Sequence, residues 1–234
     1  MSKNKDIIIA AKCAPDKKIL SDIKRADLKA VELYLSQAIM RDLKAVISLC
    51  KKFSFRYSVH APTDCYVPQE LAELVNAISA EAVVFHNIYW EDEWQDVVSI
   101  FQGVKTKLCI ENTSSIHEPL KFMRRYGFSR CLDLEHLQME CGGIFEEEFV
   151  RVLRQASHIH LTGYTYGSRL WHTHLHHSPR QSLYILNLLK KAGYRGFVVS
   201  EARLSLQTYE EFRRLNNFYK MCNAHNNRLI NAKK

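Results

Sequence analysis

Six short apolar runs in this chain finish on side chains that bind metals or move protons: His60, His86, Glu111, Asp133 (with His136 three residues on), His160 and Glu201. Imidazole and carboxylate groups hold transition-metal cations and act as general acids and bases near neutral pH. A single histidine at such a place is more often a hydrogen-bonded structural group than a ligand. Six run ends in agreement form a pattern. Two positions before each stand Ser58, Val84, Cys109, Cys131, His158 and Val199, mostly small or apolar residues. Side chains alternate faces along a strand, so each pair points the same way, the polar group capping a residue suited to an interior.

Burying several carboxylates and imidazoles together without a counter-charge costs several kcal/mol per ion. A divalent cation removes that cost. Mixed histidine and carboxylate donors suit zinc, manganese, iron or cobalt better than magnesium or calcium. Zinc is the expected ion, ahead of manganese or cobalt.

Imidazole is densest in "HIHLTGYTYGSRLWHTHLHH", residues 158–177, which holds six of the eleven histidines. His158 reads as a residue of the interior layer that could orient a ligand. His176 and His177 read as loop residues approaching the next helix. A loop that picks up metal adventitiously is the plain alternative for "HTHLHH" as a whole.

The elements that must position these groups are legible in the hydrophobic pattern. Eight β-branched, nearly all-apolar runs occur at 6–12, 30–35, 56–60, 82–86, 107–111, 130–134, 158–161 and 197–201. Continuous rather than alternating hydrophobicity predicts strands covered on both faces, as in a parallel sheet. Between them lie stretches of helical period, including 37–53, 146–156 and 179–194, the crossovers that parallel strands require. Ser115 with Glu118 and Thr208 with Glu211 have capping-box spacing, and Gly193 suits a helix end. Eight such units predict a single (β/α)8 barrel over 1–234, with a short basic C-terminal tail at about 228–234 that frays. Active groups then belong at the carboxyl ends of the strands. A doubly wound open sheet is the alternative, but "AAKCAPDKK" after the first strand has no glycine to cradle a phosphate.

The 234 residues are 47% hydrophobic and 25% charged, which excludes disordered and fibrous classes. No apolar run approaches the ~20 residues of a membrane span, and the start resembles no secretory signal. The expected location is cytoplasmic. Seven scattered cysteines, never spaced CxxC, read as reduced thiols. A net charge of +8 favours an anionic small molecule or nucleic acid as substrate, with a merely solvated basic surface as the plain alternative.

The runs "SVHAP", "VVFHN", "CIENT", "CLDLEH", "HIHLTG" and "VVSEA" resemble the successive strand-end motifs of the xylose-isomerase-like TIM barrels. That superfamily holds endonuclease IV (AP endonuclease family 2) and many sugar isomerases and epimerases; the resemblance covers about residues 6 to 205. It implies a core metal site of Glu111, Asp133, His160 and Glu201, common to both branches. The endonuclease IV branch adds histidines for further zinc ions, and His60, His86 and His136 fall at the matching places. That branch also carries a glycine-serine-arginine stretch followed by an Asp-x-His pair after the seventh strand. Here Gly167, Ser168 and Arg169 are followed by His172 and His174, with histidine where aspartate is expected and one extra residue in the spacing. His174 is thereby a candidate ligand, His172 a weaker one.

Two mechanisms follow from the resemblance. In a phosphoester hydrolase, Glu111 bridges two metals, Asp133, His160 and Glu201 complete one, His60 and His86 the other, and His136 with His174 holds a third; Arg169 helps hold the anionic substrate. In a sugar or sugar-phosphate isomerase or epimerase, one metal sits on Glu111, Asp133, His160 and Glu201. Glu111 and Glu201 then move protons, and His136 anchors substrate oxygens. The extra histidines tilt the expectation toward hydrolysis. Against a duplex-opening enzyme stands the short interval of 25 residues between His60 and His86. Tyr66, Tyr89 and Trp90 are candidates for stacking on a base or sugar, or for packing on neighbouring helices. A barrel that binds a metal or partner without catalysis is the third reading.

Overall fold

The computed structural model describes residues 7–142 and 146–231. Eight strands, β1 (Ile8–Cys13), β2 (Ala30–Tyr34), β3 (Arg56–His60), β4 (Ala82–Phe85), β5 (Lys107–Glu111), β6 (Ser129–Asp133), β7 (Ala156–Leu161) and β8 (Phe197–Ser200), pair in chain order. All pairings are parallel, and β1 closes on β8 through the register Ile8↔Phe197 to Ala11↔Ser200. The sheet is therefore the predicted (β/α)8 barrel.

The crossovers are α1 (Lys17–Arg25), α2 (Gln37–Met40), α3 (Leu43–Cys50), α4 (Pro68–Ile78), α5 (Glu91–Ile100), α6 (Pro119–Tyr126), α7 (Leu134–Cys141), α8 (Glu146–Leu153) and α9 (Pro179–Lys191), and α10 (Tyr209–Asn231) follows the last strand. The helix predicted over 37–53 is broken in two. Asp42 leaves the helical conformation, and its carboxylate accepts a hydrogen bond from the Ala45 amide at 3.1 Å, starting a second helix. Ser115 and Glu118 do not form the expected capping box. Glu118 turns back to accept from the amides of Thr113 and Ser114, while Ser115 donates to Glu140. Thr208 does cap α10, accepting from the Glu211 amide. Gly193, at φ +74, follows α9 in the left-handed conformation that glycine adopts without strain. α10 runs through Asn231, past the expected start of the basic tail, and residues 232–234 lie outside the described residues.

Strand alternation sorts the side chains into two cores. Outward residues such as Val31, Leu33, Val83, Phe85, Ile110 and Val198 pack under the helices. Inward residues Ala10, Ala30, Phe197 and Val199 fill one part of the barrel floor, and Ala82, Val84, Cys109 and Cys131 another. Small residues on this layer let the wall close without crowding. Above them, one alternation further along each strand, the interior becomes polar. None of the seven cysteines forms a disulfide, and among the described residues no helix is long and apolar enough to cross a membrane.

Candidate metal centre

The barrel places every predicted strand-end group at one mouth, with β-register bringing Asp133 beside His160. His160 is fully buried, and its Nδ1 lies 2.7 Å from Glu201 Oε1, 3.2 Å from Glu111 Oε2 and 3.8 Å from Asp133 Oδ2. Despite these distances neither ring nitrogen of His160 has a hydrogen bond of acceptable geometry. A buried nitrogen ringed by three carboxylates and without a hydrogen bond is a place that could hold a cation.

Glu111 is the hub. Its Oε2 also faces His60 Nε2 at 3.3 Å and His86 Nε2 at 3.4 Å, and its Oε1 lies 3.5 Å from His136 Nδ1. His60 Nδ1 donates to the Ala61 carbonyl at 3.1 Å, since a carbonyl only accepts. Burial, and then the Lys12 charge, lower the His60 pKa and keep the ring neutral. Its Nε2 lies within hydrogen-bonding range of Glu111 Oε2, at a place where a cation could be held between the two. Two sets of three donors, His60–His86–Glu111 and Glu111–Asp133–His136, have ligand atoms within 4.8 Å of one another.

His136 Nδ1 donates to the Asn112 carbonyl at 2.9 Å, which makes Nε2 the ring nitrogen that could take a ligand. Asn112 also ties β5 to β6, accepting from the Asp133 amide and donating to its carbonyl. The Asp133 carboxylate in turn accepts from the His136 amide at 2.7 Å and so begins α7.

Burial works against charge on all these acids, and the imidazoles decide the outcome. Glu111 is held well below the usual carboxylate range by His160, His60 and His86. Glu201 is held low by His160 and Lys12. Asp133 is pushed up to about 7 by burial and by the neighbouring Glu111 charge. Burial opposes the charge on His160, yet Cys131 and the carboxylates of Glu201, Glu111 and Glu32 raise its pKa well above the ordinary value.

Two groups that the strand-end pattern did not single out complete the centre. Lys12 on β1 contacts Glu201 Oε1 at 2.5 Å and Glu32 Oε1 at 3.8 Å. Glu32 on β2, wholly buried, accepts from His158 Nε2 at 2.7 Å and Ser58 Oγ at 3.0 Å, and its Oε1 lies 3.0 Å from His160 Nε2. His158 is thus the interior residue expected of it, one layer below His160. The available signal was the lone glutamate inside "AVELYL" and the lysine closing "DIIIAAK", both at inward parity in runs otherwise apolar.

The structure does not bring the loop histidines to this cluster. His174, a predicted ligand, is turned between β8 and α10: its Nδ1 pairs with Ser200 Oγ at 3.0 Å and its Nε2 with the Leu206 carbonyl at 3.2 Å. With both nitrogens engaged there, the expected pairing of His174 with His136 on a third metal is not assembled. His172 adopts φ +43, half exposed, with Nδ1 3.5 Å from Glu135. Arg169 is exposed on the same loop. Tyr66 and Tyr89 pack edge to face and bond to backbone carbonyls, so they are walls rather than free stacking faces; Trp90 is 78% exposed. Tyr164 is buried against Trp171, while Tyr166 is exposed.

A pocket of about 430 Å³ opens beside Glu201, lined by Lys12, Tyr34, His172, Arg203 and Gln207 among others. A larger cavity, about 690 Å³, lies at the opposite end of the barrel around Ile8, Phe197 and Arg195, away from the acid cluster.

No protein-family model and no curated protein matches the sequence. Solved structures share the fold. D-allulose 3-epimerase from Methylomonas sp. superposes with a TM-score of 0.66 at 13% identity, covering 95% of this chain and 100% of that one. Phosphoribosyl anthranilate isomerase from Thermotoga maritima gives 0.56 at 10% identity, over 92% and 98%. A probable 2-pyrone-4,6-dicarboxylic acid hydrolase from Acinetobacter baumannii, with citric acid bound, gives 0.56 at 14%, over 93% and 92%. At these identities the likeness is one of fold, shared by isomerases, an epimerase and a hydrolase.

Proposed function

We propose that this chain is a metal-dependent isomerase or epimerase acting on a small hydroxy-carbonyl compound of the sugar class. The observation that carries the reading is the convergence of Glu111 and Glu201, from strands three apart in the barrel wall, on the unbonded Nδ1 of His160. Glu111, Asp133, His160 and Glu201 would hold a divalent cation, which supplies polarisation of a carbonyl and its neighbouring hydroxyl. Zinc, manganese and cobalt all suit this donor set.

The chain's own residues account for the rest. Glu111 and Glu201 are both held ionised, and a carboxylate on each side of a bound carbon can take a proton from one face and return one to the other. Lys12, kept charged by Glu201, Glu32 and Glu111 despite its burial, fixes Glu201 and faces the pocket. Arg203 and Gln207 line the same pocket and offer donors to hydroxyl or anionic groups. His136, through Nε2, would hold a substrate oxygen, and Arg169, exposed on the loop after β7, would attract an anionic one. The fold likeness to an epimerase and to isomerases supports this reading over hydrolysis.

Phosphoester hydrolysis is the second reading. The specific observation in its favour is the His60–His86–Glu111 set, which offers a second cation position on the far side of Glu111. One experiment separates them. Protein loaded with manganese or cobalt is incubated with ketohexoses, D-allulose and D-fructose first, in heavy water, and deuterium at the carbon beside the carbonyl is read by mass spectrometry and NMR. Wash-in that disappears in Glu201→Gln supports the isomerase. No wash-in with any ketose, together with zinc-dependent cleavage of phosphoesters, replaces it with the hydrolase.

A further inference from the structure

We propose a second metal site, independent of the barrel mouth, formed by His176, His177 and Glu211 and suited to zinc. The two histidines lie on a short 3-10 turn, Leu175–His177, and the glutamate on the first turn of α10. His177 Nε2 is 2.7 Å and His176 Nε2 3.1 Å from the same oxygen, Glu211 Oε2. All three donor atoms lie within 4.8 Å of one another. Tetrahedral zinc at ~2.1 Å from each donor needs donor separations of about 3.4 Å, so small side-chain rotations suffice.

Three further features mark the cluster as built. His176 is 11% exposed at its side chain, and both its ring nitrogens are buried without a hydrogen bond. A buried polar atom left unpaired is costly, and a bond from one nitrogen to a cation removes part of that cost. Arg214 Nη1 donates to the other Glu211 oxygen at 3.1 Å, so Arg214 orients the carboxylate and leaves Oε2 to the imidazoles. The turn that carries the histidines is fixed from below. Ser182 Oγ donates to the Leu175 carbonyl and Ser178 Oγ to the Gly163 carbonyl. A Cβ at Gly163 would come within 2.6 Å of Thr173 Oγ1 and 2.8 Å of the His174 carbonyl, so only glycine permits this close return of the loop.

Two imidazoles and one carboxylate leave a fourth position for water. The site ties the loop between β7 and α9 to the C-terminal helix, as a clamp outside the catalytic chemistry. The loop it holds also carries Arg169 and His172. This inference does not rest on the proposed reaction.

The test uses the full chain, loaded with Zn²⁺, dialysed against metal-free buffer and counted by elemental analysis. Native protein, Glu111→Gln, His177→Gln and the Glu111→Gln/His177→Gln pair are compared, with His176→Gln as a second probe of the same site. The expected result is that His177→Gln retains one zinc fewer than native protein, and that the pair retains one fewer than Glu111→Gln alone. In the Glu111→Gln background, Co²⁺ gives tetrahedral absorption bands that vanish with His177→Gln, and Zn²⁺ raises Tm only while His177 is present. Equal zinc content with and without His177, or zinc lost from this position on dialysis, overturns the site whatever the barrel mouth binds.

Discussion

His158 and His160 on β7 and the four histidines of the loop that follows stand within twenty residues of one another, yet their fates differ. On the strand, alternation and register fix each ring: both point inward, and both meet Glu32. On the loop no period applies. His172 projects beside the pocket, His174 is buried under α10, and His176 and His177 turn to Glu211. A shared residue type gives a shared site only where the backbone imposes a common direction.

That contrast can be broken at several points. The largest effect belongs to the strand set: His160→Ala or Glu111→Gln should lower divalent-metal affinity at the mouth by more than about 100-fold, measured by competition with a chromophoric chelator. His174→Ala should leave that affinity unchanged within about twofold, since both its nitrogens are engaged elsewhere; a loss equal to that of His160→Ala would erase the distinction between strand and loop.

Next comes the buried carboxylate below the mouth. Glu32→Gln removes the negative charge facing His160 and Lys12 and should cost about 3 kcal/mol in urea unfolding, because it leaves these two buried cationic partners less compensated. The loop counterpart, Glu211→Gln in metal-free protein, should cost about 1 kcal/mol or less, because His177 and Arg214 reach solvent.

The smallest effect is in the pH dependence of the metal-free protein. Asp133, raised to about 7 by burial and Glu111, and His160, raised well above 6.5, bind more protons folded than unfolded near neutrality. Stability from these two is lost as pH rises through 7. His60, His158 and His174, the last lowered to about 3, are kept neutral chiefly by burial and bind fewer protons folded than unfolded. Their contribution is lost as pH falls below 6.5. Tm in the presence of chelator should peak between about pH 6 and 7. Added metal should move the peak to higher pH, because its ligands must shed protons to bind.

The barrel was readable because its strands are buried on both faces, and eight apolar runs of similar length leave few other ways to close. The strand-end acids and imidazoles were readable by parity from Ser58, Val84, Cys109, Cys131 and Val199, which the structure places in the interior as expected. Lys12 and Glu32 share that parity but are not legible as site residues, because a charge inside an apolar run reads as a strand edge until its interior partners are known. The break at Asp42 was hidden by a hydrophobic pattern continuous across it, in a place where one side-chain cap outweighs the period. His174 was misplaced because loop spacing carries no direction, and only the packing of α10 on the turn decides where its ring goes.

One contact spans almost the whole chain: Lys12 and Glu201 are 189 residues apart and meet across the β1–β8 seam. On the ribosome the first strand emerges long before its carboxylate partner is synthesised, so for most of translation the ammonium has no Glu201 to meet. A cation shared by Glu111 and Glu201 would have to wait until the eighth strand has docked, so metal content would report completed folding.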